Sequence, residues 1–300
     1  MNKYLGIDVG GTNIKYAILN DEAEISDKGE VATPKDIDVK GFVQLIKEIF
    51  NKFSDITAIV MAAPGRIDSS RGYFYTSGAL QYLDKTDMKA IIESELNVPF
   101  ALENDGKAAA LAELWKGALK DINNGIVITI GTGLGGGIVI NHKLYRGSTL
   151  SAGEFSPIPG NIQEFPMNLN NMYAMQANTR YILEKYKEIS HTTDDVDGRF
   201  VFDLANKGDE NAIKSIECFA ERFSSVIMTL QCILDVERVA IGGGISRQPL
   251  LIETIKKKIH EYYDDVSKLL PASIPDICAC TYSSDANLVG ALYHYLYEIH

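Results

Sequence analysis

Apolar residues follow two rhythms along this chain of 300 residues. Short runs rich in Ile, Val and Leu fall at 3–9, 14–20, 24–32, 57–62 and 98–102, and again at 125–130, 136–140, 237–241 and 276–281. Their length and composition predict strands. Short turns join the first three, which predicts antiparallel neighbours. Elsewhere the apolar positions recur at helical spacing: Phe42, Leu45, Ile46, Ile49 and Phe53 share one face. Helices are predicted from Thr86, as N-cap, through Leu96, then over 104–115, 173–188, 199–206, 209–234, 247–264 and 284–298. The stretch 147–172, which holds Pro157, Pro159 and Pro166, breaks both rhythms. It reads as a long loop, and such a loop in a compact enzyme is more often functional than idle.

One local plan occurs twice. The run Tyr4-Leu5-Gly6-Ile7 enters the turn Asp8-Val9-Gly10-Gly11-Thr12-Asn13 and returns through 14–19. The run 126–130 enters Gly131-Thr132-Gly133-Leu134-Gly135-Gly136-Gly137 and returns through 138–140. Two halves of this kind predict an α/β protein of two domains, 1–115 plus 285–300 and 116–284. The crossing falls near Trp115-Lys116-Gly117.

The glycines carry the candidate chemistry. A glycine turn leaves backbone N–H groups free to point at an anion and lets phosphate approach closely. The second turn packs five glycines into seven residues. Each costs about 0.5–1 kcal/mol of backbone entropy, more than a plain hairpin justifies. A third cluster, Gly242-Gly243-Gly244, follows the run 239–241 and opens helical sequence, which suits an adenosine or phosphate contact. Any one cluster alone reads as a tight turn; three in this order form a nucleotide clamp. The spacing Gly131-x-Gly133-x-x-Gly136 matches the dinucleotide fingerprint, but strand sequence follows it directly, against the required helix.

Two acidic positions extend this reading. Asp8, closing a buried strand beside the first turn, is placed to hold hydrated Mg²⁺. In Glu103-Asn104-Asp105-Gly106 a strand meets a helix, where a carboxylate either accepts a proton from an attacking hydroxyl or, with Asn104, caps the helix.

Composition narrows the class. The net charge of −11 disfavours nonspecific nucleic-acid binding. No apolar run approaches the ~18 residues of a membrane span, and the N-terminus lacks a signal-peptide pattern, so a cytoplasmic protein is expected. Cys218, Cys232, Cys278 and Cys280 include no C-x-x-C pair and read as buried reduced thiols.

These motifs together resemble the sugar-kinase/Hsp70/actin superfamily, and within it the ROK family of bacterial sugar kinases and sugar-responsive repressors. The resemblance rests on 8–15, Ala63-Pro64-Gly65, Glu103-Asn104-Asp105, 131–137, Ala152-Gly153-Glu154 and Ile241-Gly242-Gly243-Gly244. It implies two actin-like ATPase (ribonuclease H-like) α/β domains flanking a cleft. It also implies transfer of the γ-phosphoryl group of ATP to a hexose hydroxyl, O6 of a glucose unit, by a homodimer. Asp105 would be the catalytic base, with Gly65, Gly78, Asn104 and Glu154 at the sugar. Gly10, Gly11, Thr12, Asn13, Lys15, Thr132, Gly133 and Gly135 would hold phosphates, Gly243 and Gly244 would lie at the adenosine, and Asp8 would hold Mg²⁺ directly or through water. Tyr82 would stack on a pyranose or pack in the core.

The chain departs from the family pattern at three places. Ser156 and Pro157 replace the Gly-His of the family's Glu-x-Gly-His segment, and 160–166 replace its cysteine motif for structural zinc. No structural zinc is therefore expected, and the departures suit the zinc-free branch resembling β-glucoside kinases. A kinase for N-acetylmannosamine or another hexose is the alternative. A non-catalytic sugar-sensing regulator is the second alternative; the acidic charge and a first motif at residue 8 count against a preceding DNA-binding domain.

Overall fold

The computed structural model describes residues 2–131, 133–160, 172–266 and 273–299. The chain forms two compact units: residues 1–117, 144–153 and 284–300 in unit 1, and 118–143 and 154–283 in unit 2. The segment 144–153, expected in the second domain, clusters with unit 1.

Unit 1 is built on strands β1 (Tyr4–Val9), β2 (Asn13–Leu19), β3 (Ile25–Ala32), β4 (Ala58–Ala63) and β8 (Phe100–Asn104). Short strands β5 (Ile67–Asp68), β6 (Tyr73–Phe74) and β7 (Thr86–Asp87) form a separate small antiparallel sheet. The main sheet runs β3-β2-β1-β4-β8. Its first three strands pair antiparallel, and β1, β4 and β8 pair parallel. Parallel central strands are covered on both faces, which is why β4 reads Ala-Ile-Val-Met-Ala-Ala and is buried throughout. The helices are α1 (Val39–Phe50), α2 (Met88–Leu96) and α3 (Asp105–Lys116), joined by a C-terminal helix, Ala286–Tyr297. Phe42, Ile46 and Ile49 of α1 are buried in the unit's core with Leu5, Ile7 and Phe100.

Unit 2 repeats the arrangement. Strands β9 (Gly125–Ile130), β10 (Leu134–Ile140), β11 (Lys143–Tyr145), β12 (Arg238–Gly243) and β13 (Asp276–Ala279) are ordered β11-β10-β9-β12-β13. Position for position this is the order of the first sheet, with β9–β10 antiparallel and β9–β12–β13 parallel. Helices α4 (Tyr173–Gln176), α5 (Thr179–Ser190), α6 (Gly198–Asn206), α7 (Glu210–Leu234) and α8 (Pro249–Val266) complete the described part. The duplicated mixed α/β sheet is the actin-like ATPase fold.

Three local expectations are corrected. Thr86 belongs to β7, and Asp87 caps α2 by accepting from the Ala90 N–H at 3.0 Å; a carboxylate is the stronger acceptor at that point. The helix expected over 173–188 breaks at Ala177, because Asn178 leaves helical geometry and caps α5 through the Tyr181 N–H at 2.9 Å. The cysteines are not buried: Cys232 is exposed near the end of α7 and the others are half-buried, Cys278 on the edge strand β13.

Candidate active site

In unit 1 the sites expected from sequence gather at the carboxyl ends of the parallel strands, where open α/β sheets bind ligands. Asp8 is near the end of β1, Gly65 follows β4, and Asn104 ends β8. The register confirms the level: Asp8 pairs with Ala62, and Ala63 with Asn104.

The first glycine turn closes with the Gly10 N–H donating to Asn13 O at 3.0 Å. Gly11 and Thr12 are exposed, and a Cβ at Gly11 would meet nothing within 4 Å. Thr33 fixes this turn from outside: its hydroxyl donates to Gly10 O at 2.6 Å and its N–H to Thr12 O at 2.8 Å. Sequence reading missed Thr33, which lies 23 residues from its partner with no motif of its own. Lys15 stands opposite Asp8 in the β1–β2 ladder. Burial pushes the Asp8 carboxyl above its usual range, although the Asn287 hydrogen bond, at 2.9 Å to Oδ1, and Lys15 pull the other way.

Asn104 spends both ends of its side chain on architecture. Its Oδ1 caps α3 by accepting from the Lys107 N–H at 3.0 Å, and its Nδ2 donates to Gly65 O at 3.0 Å. Asp105 opens the helix beside it, with Oδ1 accepting from the Gly106 N–H at 2.8 Å. The capping role is thus taken by Asn104, and Asp105 is only half-buried. Gly65, at φ +112°, lies so close to the chain at Thr76 that a Cβ would come within 2.1 Å of Thr76 O. Gly78 is exposed at φ +61°, on a segment held by the Ser77 hydroxyl donating to Asp84 at 2.6 Å. Tyr82 is a packing residue: its hydroxyl donates to Pro34 O at 3.1 Å and its ring sits 6.1 Å from Phe42.

In unit 2 the second turn spans the β9–β10 hairpin, with the Gly131 N–H donating to Gly133 O at 3.0 Å. Thr132 lies outside the described residues. A Cβ at Gly135 would lie 2.9 Å from the Thr129 hydroxyl, and one at Gly136 2.0 Å from Val127 O. Phe155 packs beneath Gly136, and the Ser156 hydroxyl both accepts from the Leu134 N–H at 2.9 Å and donates to Leu134 O at 3.0 Å. Ser156 thereby gains a structural reason, and the exposed Glu154 sits one residue from a segment clipped to the hairpin. Gly243, at φ +94°, would place a Cβ 2.0 Å from Ile130 O, whereas Gly244 faces open space. Both lie at the carboxyl end of β12. Of the loop 157–172, residues 161–171 lie outside the described residues, so most of the segment replacing the zinc motif is not placed.

A valine at Gly133 would drive its side chain into Ser156 Oγ, which a Cβ alone already meets at 2.8 Å. Gly133→Val should therefore weaken nucleotide by at least tenfold, about 1.4 kcal/mol, and leave sugar affinity within about twofold. Titrations of both ligands on the folded variant check this, and unchanged nucleotide affinity makes the turn a plain hairpin.

The ROK family model matches residues 4–297. A β-glucoside kinase of Listeria monocytogenes is 29% identical over 306 residues, covering 99% of this chain and 98% of that protein. A ROK family protein of Streptococcus pneumoniae TIGR4, solved in complex with sucrose, superposes with a TM-score of 0.85 at 30% identity, covering 98% of both chains. A ROK family glucokinase of Streptomyces griseus, solved with glucose and AMPPNP, gives a TM-score of 0.81 at 26% identity, covering 97% of this chain and 98% of that one.

Proposed function

The chain belongs to the ROK family, and from that membership and the site we infer that it is an ATP-dependent sugar kinase whose acceptor is O6 of a glucose unit carried as a β-glucoside. The similar β-glucoside kinase supports the sugar class, and the glucokinase solved with AMPPNP supports ATP as donor. The observation that carries the reading is the placement of Asp105 at the junction of β8 and α3, as the first residue of the helix whose cap is its neighbour Asn104.

In this reading Asp105 accepts the proton of the sugar hydroxyl as its oxygen bonds to the γ-phosphorus, while the bond to the β-phosphate oxygen breaks and ADP leaves. Gly65, Gly78 and Glu154 position the sugar, and Asn104 holds Gly65 and the helix start. The turns at 10–13 and 132–136 cradle phosphate, through groups other than the Gly10 and Leu134 N–H that hold the turns closed, and Gly243 and Gly244 receive the adenosine. Asp8 fits a hydrated Mg²⁺, because it is a hard oxygen donor at a strand end whose burial a cation would relieve. Mg²⁺ bound there would neutralise phosphate charge. Structural zinc plays no part in this reading, and the protein acts as a cytoplasmic homodimer without nucleic acid.

The β-glucoside preference follows from Ser156-Pro157. A histidine in that segment would bond a free anomeric hydroxyl, and a site built around a hydroxyl penalises analogues lacking it. Pro157, in the place of that histidine, has no side-chain donor or acceptor, so that penalty is gone, and Ser156 beside it is committed to Leu134. ADP release with MgATP and no added zinc, across glucose, cellobiose, β-glucosides, N-acetylmannosamine and fructose, tests both levels. Cellobiose or a β-glucoside should match or exceed glucose in kcat/KM. A clear preference for glucose or N-acetylmannosamine rejects the β-glucoside, and no ADP with any sugar rejects the kinase.

A further inference from the structure

Glu103 is wholly buried at the end of β8, two residues before Asp105, and the reaction described above makes no use of it. Its Oε1 accepts the backbone N–H of Asn104 at 2.7 Å. Its Oε2 lies 2.6 Å from Nη1 of Arg146. Nη2 of Arg146 reaches Glu298 Oε2 at 2.5 Å, and the same oxygen lies 2.7 Å from Nδ1 of His294. His294 is itself buried, with Nε2 3.2 Å from Ser69 O. These three acidic and imidazole groups have the spacing of a metal site, but the guanidinium already occupies the space between the carboxylates.

The backbone of Arg146 makes a second attachment. Its carbonyl accepts the Ala152 N–H at 3.2 Å, closing a loop in which Gly147 takes φ +74°. Ala152 is two residues before Glu154. One residue therefore holds, through its side chain, the strand end leading to Asp105, and through its carbonyl, the segment leading to Glu154. One guanidinium thus spans two carboxylates, an ion pair to Glu103 and a hydrogen bond to Glu298, from two separate nitrogens, as a lysine's point charge cannot.

We propose that Arg146 is the positioning residue of the sugar site, setting Asp105 through Glu103 and the approach to Glu154 through its own backbone loop. This rests on the sugar-kinase reading. Loss of the guanidinium frees the Glu103 carboxylate, then the Asn104 peptide it holds, then the start of α3. Displacement of a reacting group by about 1 Å costs on the order of 100-fold in rate.

Arg146→Gln is expected to lower kcat about 100-fold and to raise the sugar KM, with the ATP KM unchanged. A role confined to stability would lower the folded fraction and leave both KM values alone. Arg146→Gln also strands buried carboxylates, so Arg146→Lys and the double variant Glu103→Gln/Arg146→Gln accompany it. Both should regain thermal midpoint, since unpaired buried charge is what destabilises most, yet keep the kcat and sugar-KM defects. Calorimetric titration with cellobiose and glucose reads the same coupling without turnover: sugar binding should weaken and AMPPNP binding should not. Wild-type kcat and sugar KM per folded molecule in Arg146→Gln, or their recovery in the double variant, overturns the proposal. A wild type that binds sugar but releases no ADP sinks the kinase reading alone, and the titrations then decide Arg146. A wild type that binds no sugar sinks both.

Discussion

Asp105→Asn is expected to abolish nearly all turnover in a protein that folds normally. The fold survives because the cap of α3 belongs to Asn104, whose Oδ1 takes the Lys107 N–H at 3.0 Å. The bond that Asp105 Oδ1 accepts from the Gly106 N–H, at 2.8 Å, can be kept by an amide oxygen. What the amide lacks is basicity. A missing general base costs roughly 10²–10⁴ in rate, about 3–5.5 kcal/mol of barrier. Sugar and ATP affinities should stay near wild type, since shape and size hardly change. Steady-state kinetics with far-UV circular dichroism on the same preparation check this, and near-full kcat in the folded variant would assign Asp105 to architecture.

The second large effect is on stability. Gly290 sits where the C-terminal helix crosses α3, and a Cβ there would lie 1.7 Å from Ala108 O and 2.4 Å from Ala108 C. Both obstacles are backbone, so no rotamer change relieves them. Small side chains on the facing side of α3, Ala108 and, one turn on, Ala112, both buried, permit this approach. Gly290→Val must part the two helices, and overpacking costs about 1–3 kcal/mol even where side chains can yield; here the cost should reach or exceed the upper end. The chain's single tryptophan is a built-in probe. Trp115 lies on α3 with ring centroids 5.8 Å from Tyr293 and 5.6 Å from Tyr297 of the C-terminal helix. Its fluorescence during urea titration should report an early transition of unit 1, and an unshifted midpoint would mean that the crossing tolerates a side chain.

The parts of the fold that repeat in sequence were legible, and those made by distant partners were not. The hairpins at 4–19 and 125–140 announce themselves by period and glycine, so both sheets could be started from sequence. The third strand of the second sheet, Lys143–Tyr145, is too short to show alternation. Asn178 carried a capping signal inside a helical stretch, and reading it would have split that helix correctly. At the candidate site, Asp8 falls near the end of a strand and Asn104-Asp105 at a strand-to-helix junction, as read from sequence. Thr33 and Arg146 were invisible, because neither belongs to a local pattern and each acts on residues 20 or more positions away. Ser156 was visible only as a departure from the family, and the structure turns that departure into a clip on Leu134.

The threading of the chain sets an order of events during synthesis. Unit 1 begins with the first strand, yet its helix pair is incomplete until Ala286–Tyr297 has emerged. At about 5–20 residues per second, the wait between α3 and its partner is roughly 10–35 s. Throughout that interval α3, β1 and β4 lack the cover of the C-terminal helix, and by its end the sequence of unit 2 is complete. The second unit in the chain is therefore complete in sequence before the first, and until the C-terminal helix docks the uncovered face of unit 1 is a kind of surface that chaperones bind.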